Sequence, residues 1–312
     1  MKKLTRKVLT AIVLLMVAFF VVKVFSAGDK PQSGDYWKVI EQNYKIYAPP
    51  LPDDINLAGE KVPLENFDVR EALDYEILKV MYWHSEIILY IKRANRYFPV
   101  VEPILKKYGV PDDFKYLLVA ESGLKAQAVS YAAAEGWWQF KKDIGKSYGL
   151  IINDEVDQRY DLEKSTEAAC KYLLDAYRHY GSWTMAAATY NMGQTYLDKA
   201  VAKQGTDNFY DLLLNTQTSR YVYRILAFKQ IMQNPEKYGL HIRKSDLYKP
   251  VKTKVIKVST SIPDLIEFAR QNGTNYKVLK LLNPWLRSDK LTNKEGNTYY
   301  IHVPKKGARE TN

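Results

Sequence analysis

Val110-Pro111-Asp112-Asp113-Phe114-Lys115-Tyr116-Leu117-Leu118-Val119-Ala120-Glu121-Ser122-Gly123 reads as a short helix that carries an acid where apolar packing is expected. Pro111 suits a first turn, Asp112 and Asp113 suit the positive end of the helix dipole, and Gly123 can end the helix. Phe114, Leu117, Leu118 and Glu121 recur at i, i+3, i+4 and i+7, so they share one face. A carboxylate on a core-facing stripe is costly unless paired, and burial raises its pKa. A carboxyl that stays protonated near neutral pH is what general-acid catalysis uses. A salt-bridged acid near a helix end is the alternative for the same residue.

Outward from this segment, helical periodicity runs over 69–97, 100–108, 132–146, 162–180, 183–191 and 219–232, with almost no alternating pattern between them. Residues 69–245 therefore read as an all-α domain. The texture changes after Leu240. Residues 251–258 alternate and are rich in β-branched side chains, 262–269 and 275–282 are helical, and 297–304 alternate again. The fold class is mainly α: a helical domain, then a small, separate α+β module over 251–306 in the order strand, helix, helix, strand.

The N-terminus bears on compartment. Met1-Lys2-Lys3-Leu4-Thr5-Arg6-Lys7 is basic, and Val8 to Val22 is apolar apart from Thr10, which together read as an export signal over 1–27. Cleavage after Ser26 or Ala27 and retention as a membrane anchor through residues 8–25 both stand open. Residues 28–68, rich at their start in Pro, Gly and Asp, read as an extended lead-in. The net charge of +11 suits anionic surroundings, including a membrane, an acidic wall polymer or nucleic acid. The export signal argues against nucleic acid. The lone Cys170 allows no internal disulfide and shares a helical face with Leu173, Leu174 and Tyr177, as a buried small residue would.

Downstream of Glu121 stand Ser122, Ala128, Ser130, Ala132, Ala134, Gly136, Trp138, Gln139 and Phe140, and later Ala188-Thr189-Tyr190-Asn191-Met192-Gly193. Small residues over 132–136 allow close approach of another backbone, or simple helix packing. Trp138 offers a face for stacking on a sugar and Gln139 an amide, while Tyr190 and Asn191 at a helix end can present a hydroxyl and an amide to a cleft. Together these residues resemble the lytic transglycosylase family of lysozyme-like folds, whose pattern runs Glu-Ser, Ala-x-Ser-x-Ala-Gly-Ala-x-Gly-Leu-x-Gln and Ala-x-Tyr-Asn-x-Gly. Arg93–Pro99, Leu105–Pro111, Asp157–Asp161, Ser165–Ala169 and Ser219–Val222 extend the likeness over about residues 90–235. The C-terminal module resembles a lysin-motif (LysM) unit, although Ser259-Thr260-Ser261 stands where Gly-Asp-Thr is usual.

The resemblance implies a substrate, the glycan strands of peptidoglycan, and a reaction with one catalytic carboxyl. Glu121 would protonate the glycosidic oxygen and then act as base on the C6 hydroxyl of the same N-acetylmuramic acid, leaving a 1,6-anhydro ring. Ser130 and Gln139 would contact substrate, Tyr190 would bond near the acid or the developing positive charge, and Asn191 would shape the site. No cofactor is implied.

The chain departs from the pattern at Ala133, which replaces a Gly, at Trp137, which replaces a Leu, and at Lys141-Lys142, which replace Met-Pro. Lys141 facing inward would join the substrate site and lower the pKa of Glu121; facing outward it would not. The four histidines show no ligand spacing, so no metal site is expected. Asp143, Asp154, Asp157 and Asp161 are candidates for the second carboxylate of a water-using muramidase, the competing enzyme reading. A wall-binding protein with weakened or lost catalysis is the competing non-enzyme reading.

Overall fold

In the computed structural model, described residues comprise Lys38 and 46–310. The chain divides into Met1–Ala48, of which the described residues are exposed, and Pro49–Asn312. The expected signal and anchor lie outside the described residues, as does most of the lead-in's first half. Among the described residues no helix is long and apolar enough to cross a membrane.

The second unit opens with a small hairpin, β1 (Asn56–Leu57) and β2 (Glu60–Lys61). It is followed by helices α1 (Phe67–Tyr82), α2 (His84–Tyr108), α3 (Phe114–Ser122), α4 (Lys142–Ser147), α5 (Leu162–Tyr180), α6 (Trp183–Met192), α7 (Gln194–Gln204) and α8 (Thr216–Gln233). The mainly α reading holds. α8 lies at the centre, packed on α1, α3 and α6, and α5 bridges α2 and α6. Their apolar stripes merge into one core that includes Leu73, Ile77, Leu117, Leu118, Leu173, Ile225 and Leu226.

Three local differences from the sequence expectation have physical causes. α2 continues through Pro99 and Pro103. Both prolines share an exposed stripe with Asn95, so the carbonyls that lose their donors face water. α3 starts at Phe114, because Pro111–Asp113 form a tight turn whose carbonyls accept from Phe114, Lys115 and Tyr116. The expected helix over 132–146 is a correction: only Lys142–Ser147 is helical. The rest is a loop drawn together by bridges Val129↔Glu135 and Glu135↔Phe140. Ala133 and Gln139 have φ of 55° and 51°, which a right-handed helix forbids whatever the alanine content.

The C-terminal region contains β3 (Thr253–Val258), α9 (Leu265–Gln271), α10 (Tyr276–Leu282) and β4 (Tyr299–Pro304). The strands pair antiparallel from Thr253↔Pro304 to Val258↔Tyr299. The order is as expected, but the module is not separate. Its core of Leu265, Leu279, Trp285, Leu286 and Ile301 takes in Val156 and Tyr160 from the helical domain. Backbone bonds Asp157 N–Trp285 O (2.9 Å) and Arg287 N–Glu155 O (2.8 Å) fasten the join.

Candidate active site

Glu121 stands in the last turn of α3, which Gly123 ends at φ 57° by donating to Val119. A Cβ at Gly123 would come within 2.5 Å of the Tyr90 ring, so glycine both turns the chain and lets α2 approach. Phe114, Leu117 and Leu118 on the same face are buried. Glu121 is half-buried, with its carboxyl aimed at α8, where the Tyr221 hydroxyl donates a short hydrogen bond to Oε1.

Burial raises the Glu121 pKa from 4.5 to about 7, against the opposing pull of the Tyr221 hydrogen bond and the Arg224 charge. Desolvation wins because a carboxylate loses more on leaving water than one hydroxyl and one offset cation restore. Tyr221 and Tyr190 are held well above the usual phenol range, first by burial and then by the charge of Glu121. Both therefore serve as hydroxyl donors at neutral pH. Tyr190 sits on α6 among Tyr172 and Phe140, ring centroids 5.1 and 5.9 Å away, and its hydroxyl donates to the Trp138 carbonyl at 2.8 Å.

The loop between α3 and α4 walls this site. Ser130 is exposed, and its Oγ accepts from the Ala134 amide at 3.0 Å. The Gln139 Nε2 donates to the carbonyls of Ala128 and Gly136, both at 2.9 Å, which uses both of its hydrogens within the loop. Asn191 Oδ1 accepts from Thr218 on α8 at 3.1 Å. Trp138 requires a correction: it is fully buried, its indole donating to Thr166 at 2.8 Å, so it has no face open for a sugar. Lys141 is exposed at the start of α4, and the cation whose charge reaches Glu121 is Arg224.

Residues 100–213 match the transglycosylase SLT domain, and residues 254–307 match the soluble lytic transglycosylase C-terminal LysM-like domain. The chain carries a transglycosylase SLT domain and a LysM-like domain. It is 27% identical over 281 residues to the membrane-bound lytic murein transglycosylase D of Escherichia coli strain K12, and equally to that of E. coli O6:H1. Each match spans 88% of this chain and 57% of the relative, so the chain corresponds to a little over half of the relatives' length.

Behind the SLT domain's loop lies a charge network absent from the sequence reading. Arg159 grips Asp157 through Nε–Oδ1 (3.0 Å) and Nη2–Oδ2 (2.6 Å), and reaches Glu135 at 2.9 Å. Tyr160 also donates to Glu135, at 2.7 Å. Gly136 lies so close that a Cβ there would stand 2.0 Å from the Arg159 carbonyl oxygen. Tyr221, Arg224 and Arg159 are the residues that local pattern missed. A faint signal existed for Tyr221, a tyrosine whose hydroxyl must find a partner on a buried apolar stripe with Ile225 and Phe228.

A cavity of about 400 Å³ at the other end of α6 is lined by Glu60, Ser182 and Thr184. Glu60 is occupied there as a helix cap, accepting from the amides of Trp183 and Thr184. Among the described residues no cluster of His, Cys, Asp or Glu is placed to hold a metal ion. Cys170 is buried, which pushes its thiol up to about 12.

Proposed function

We propose that this chain is a lytic transglycosylase of the bacterial cell envelope. It cuts the β-1,4 bond between N-acetylmuramic acid and N-acetylglucosamine in peptidoglycan and forms the 1,6-anhydro ring. The observation that carries this reading is the Glu121 carboxyl, half-buried at the end of α3, raised to about 7 by desolvation and bonded by Tyr221. The names of the relatives and the SLT match supply the substrate class.

In the first half-reaction the protonated Glu121 gives its proton to the glycosidic oxygen as the bond to C1 breaks. A pKa near the working pH keeps a useful fraction of acid while leaving a base of adequate strength. In the second half, the Glu121 carboxylate takes the proton of the C6 hydroxyl as that oxygen bonds to C1. Tyr221 stabilises the carboxylate between the steps, because a hydrogen bond to the charged form favours it. Tyr190, held by the Trp138 carbonyl, presents its phenol oxygen as an acceptor beside the site. Ser130, Gln139 and Asn191 are the proposed substrate contacts along the wall, Gln139 through its remaining carbonyl oxygen, while the exposed Lys141 is left outside the set.

A water-using muramidase needs a second free carboxylate. Asp157 is locked to Arg159, and Asp161 accepts from the Lys164 amide as the cap of α5. Asp143 and Asp154 are exposed rather than set in a desolvated site beside Glu121, which favours the one-carboxyl scheme. The basic, apolar N-terminus and the membrane-bound relatives support export to the periplasmic side, with residues 8–25 as leader or anchor.

The test is digestion of purified sacculi by the wild-type chain and by Glu121→Gln, with mass spectrometry of the soluble products. Anhydro-muropeptides from the wild type and none from the variant are expected. Products heavier by one water would establish hydrolysis instead. Binding to sacculi without soluble product would establish a non-catalytic wall binder.

A further inference from the structure

One buried acid lies outside everything the proposed reaction uses. Glu76 on α1 is 1% exposed, in the face of α1 that packs against α8. Its two carboxylate oxygens are divided between two guanidiniums, Arg220 Nε at 2.6 Å and Arg224 Nε at 3.2 Å. Arg220 is further held over the Tyr75 ring at 4.1 Å. These arginines are one turn apart on α8, and Tyr221, the hydrogen-bond donor to Glu121, lies between them in sequence.

We propose that Glu76 is a positioning residue for the reaction: by holding Arg220 with one oxygen and Arg224 with the other, it fixes how strongly a cation acts on the Glu121 carboxyl. This rests on Glu121 being the acid. A carboxylate sealed between two helices is a poor source of stability, since its desolvation offsets its pairing. Its consequence is electrostatic. Two guanidiniums against one carboxylate leave one surplus positive charge, and Arg224 is the cation that already reaches Glu121.

The other groups facing α3 do not substitute for this control. From α2, Arg93 donates to the Gly123 carbonyl at 3.0 Å, while Glu86 pairs with Lys125 at 3.4 Å. From α6 comes the phenol of Tyr190, and from α8 that of Tyr221.

Glu76→Gln leaves Arg224 without its carboxylate, Arg224→Met removes the cation that reaches Glu121, and the double variant shows whether Glu76 acts through Arg224. The rate of anhydro-muropeptide release from sacculi, followed as kcat/KM against pH on the full chain, reads these states. Loss of activity on the alkaline side should move down by about one pH unit in Glu76→Gln and up by a similar amount in Arg224→Met. The double variant should follow Arg224→Met, because Glu76 acts on Glu121 through Arg224. At about pH 7.5 the first variant should be roughly eightfold slower than the wild type through lost protonation alone. A loosened fold would lower rates without moving the two limbs in opposite directions.

Limbs that stay in place, or move the same way, overturn the proposal. Should Glu76→Gln fail to fold, Glu76→Asp, which keeps the charge but shortens its reach to the two guanidiniums, should still move the alkaline limb down, and an unmoved limb overturns the proposal. Glu121→Gln run alongside separates the failures: retained activity there removes Glu121 as the acid, whereas an inactive Glu121→Gln with unmoved limbs removes only Glu76.

Discussion

Replacing Glu121 by Gln should stabilise the fold, and by an amount that depends on pH. Its carboxyl titrates at about 7 in the folded chain against 4.5 in the reference state. The native state therefore holds a proton that the unfolded chain has released, and stability falls as pH rises through that interval. At about 1.4 kcal/mol per pH unit the full loss is about 3 kcal/mol. Residual solvent contact of the half-buried side chain trims this to about 2–3 kcal/mol. Gln cannot ionise, and its carbonyl oxygen can still accept the Tyr221 hydrogen bond. Urea unfolding of both proteins should give nearly equal stabilities below pH 4.5, with the variant gaining steadily and reaching the full difference above about pH 7. Stability curves that run parallel across this range would refute the reasoning, because the native carboxyl would then titrate like an exposed one.

Tyr221→Phe removes a hydrogen bond to the charged form of Glu121, so the carboxyl pKa should rise further. At about 1.5–3 kcal/mol for such a bond, the alkaline limb of the pH profile should move up by about one to two pH units; a downward move would contradict the assignment. Gly136→Ala places a methyl against the Arg159 carbonyl at a φ of 83° and should cost about 3–5 kcal/mol in thermal or urea unfolding. Ala133→Gly, at an exposed position with φ 55°, should instead gain about 1 kcal/mol in the same assay.

The contrast between those two positions shows what local pattern can carry. Ala133 stands where the resembling family has Gly, in a run of small residues whose sequence suggests close backbone approach. The residue is exposed, and the cost lies in its left-handed backbone, a property no periodicity reports. α5 was legible because its apolar stripe is continuous and Asp161 caps it. α7 was not, since Leu197 is its one fully buried residue and an exposed helix leaves little periodic signal. Glu121 stood out as an acid on an apolar face. Its partner Tyr221 is 100 residues away, and the meeting of the two follows from α3 packing on α8, which neither segment encodes alone. Trp138 was misplaced for a similar reason, its indole being claimed by Thr166, 28 residues on.

Trp138 and Gln139 are held inside the loop between α3 and α4. A loop of Ala132, Ala133 and Ala134 buries little and cannot hold its own shape. What fixes it is polar. Gln139 ties two of its carbonyls, Glu135 anchors it to Arg159 and Tyr160, and Trp137 donates from its ring to the Tyr160 carbonyl at 2.8 Å. Arg159 and Tyr160 belong to the strap whose backbone is bonded to Trp285 and Arg287 of the LysM-like domain, and the Arg287 guanidinium lies 4.1 Å over the Tyr160 ring. The wall of the site and the C-terminal domain thus share one support. In this arrangement Trp138 and Gln139 chiefly keep the wall in place. On the proposed mechanism the chemistry falls to Glu121 and the two tyrosines, which the packing of α3, α6 and α8 brings together.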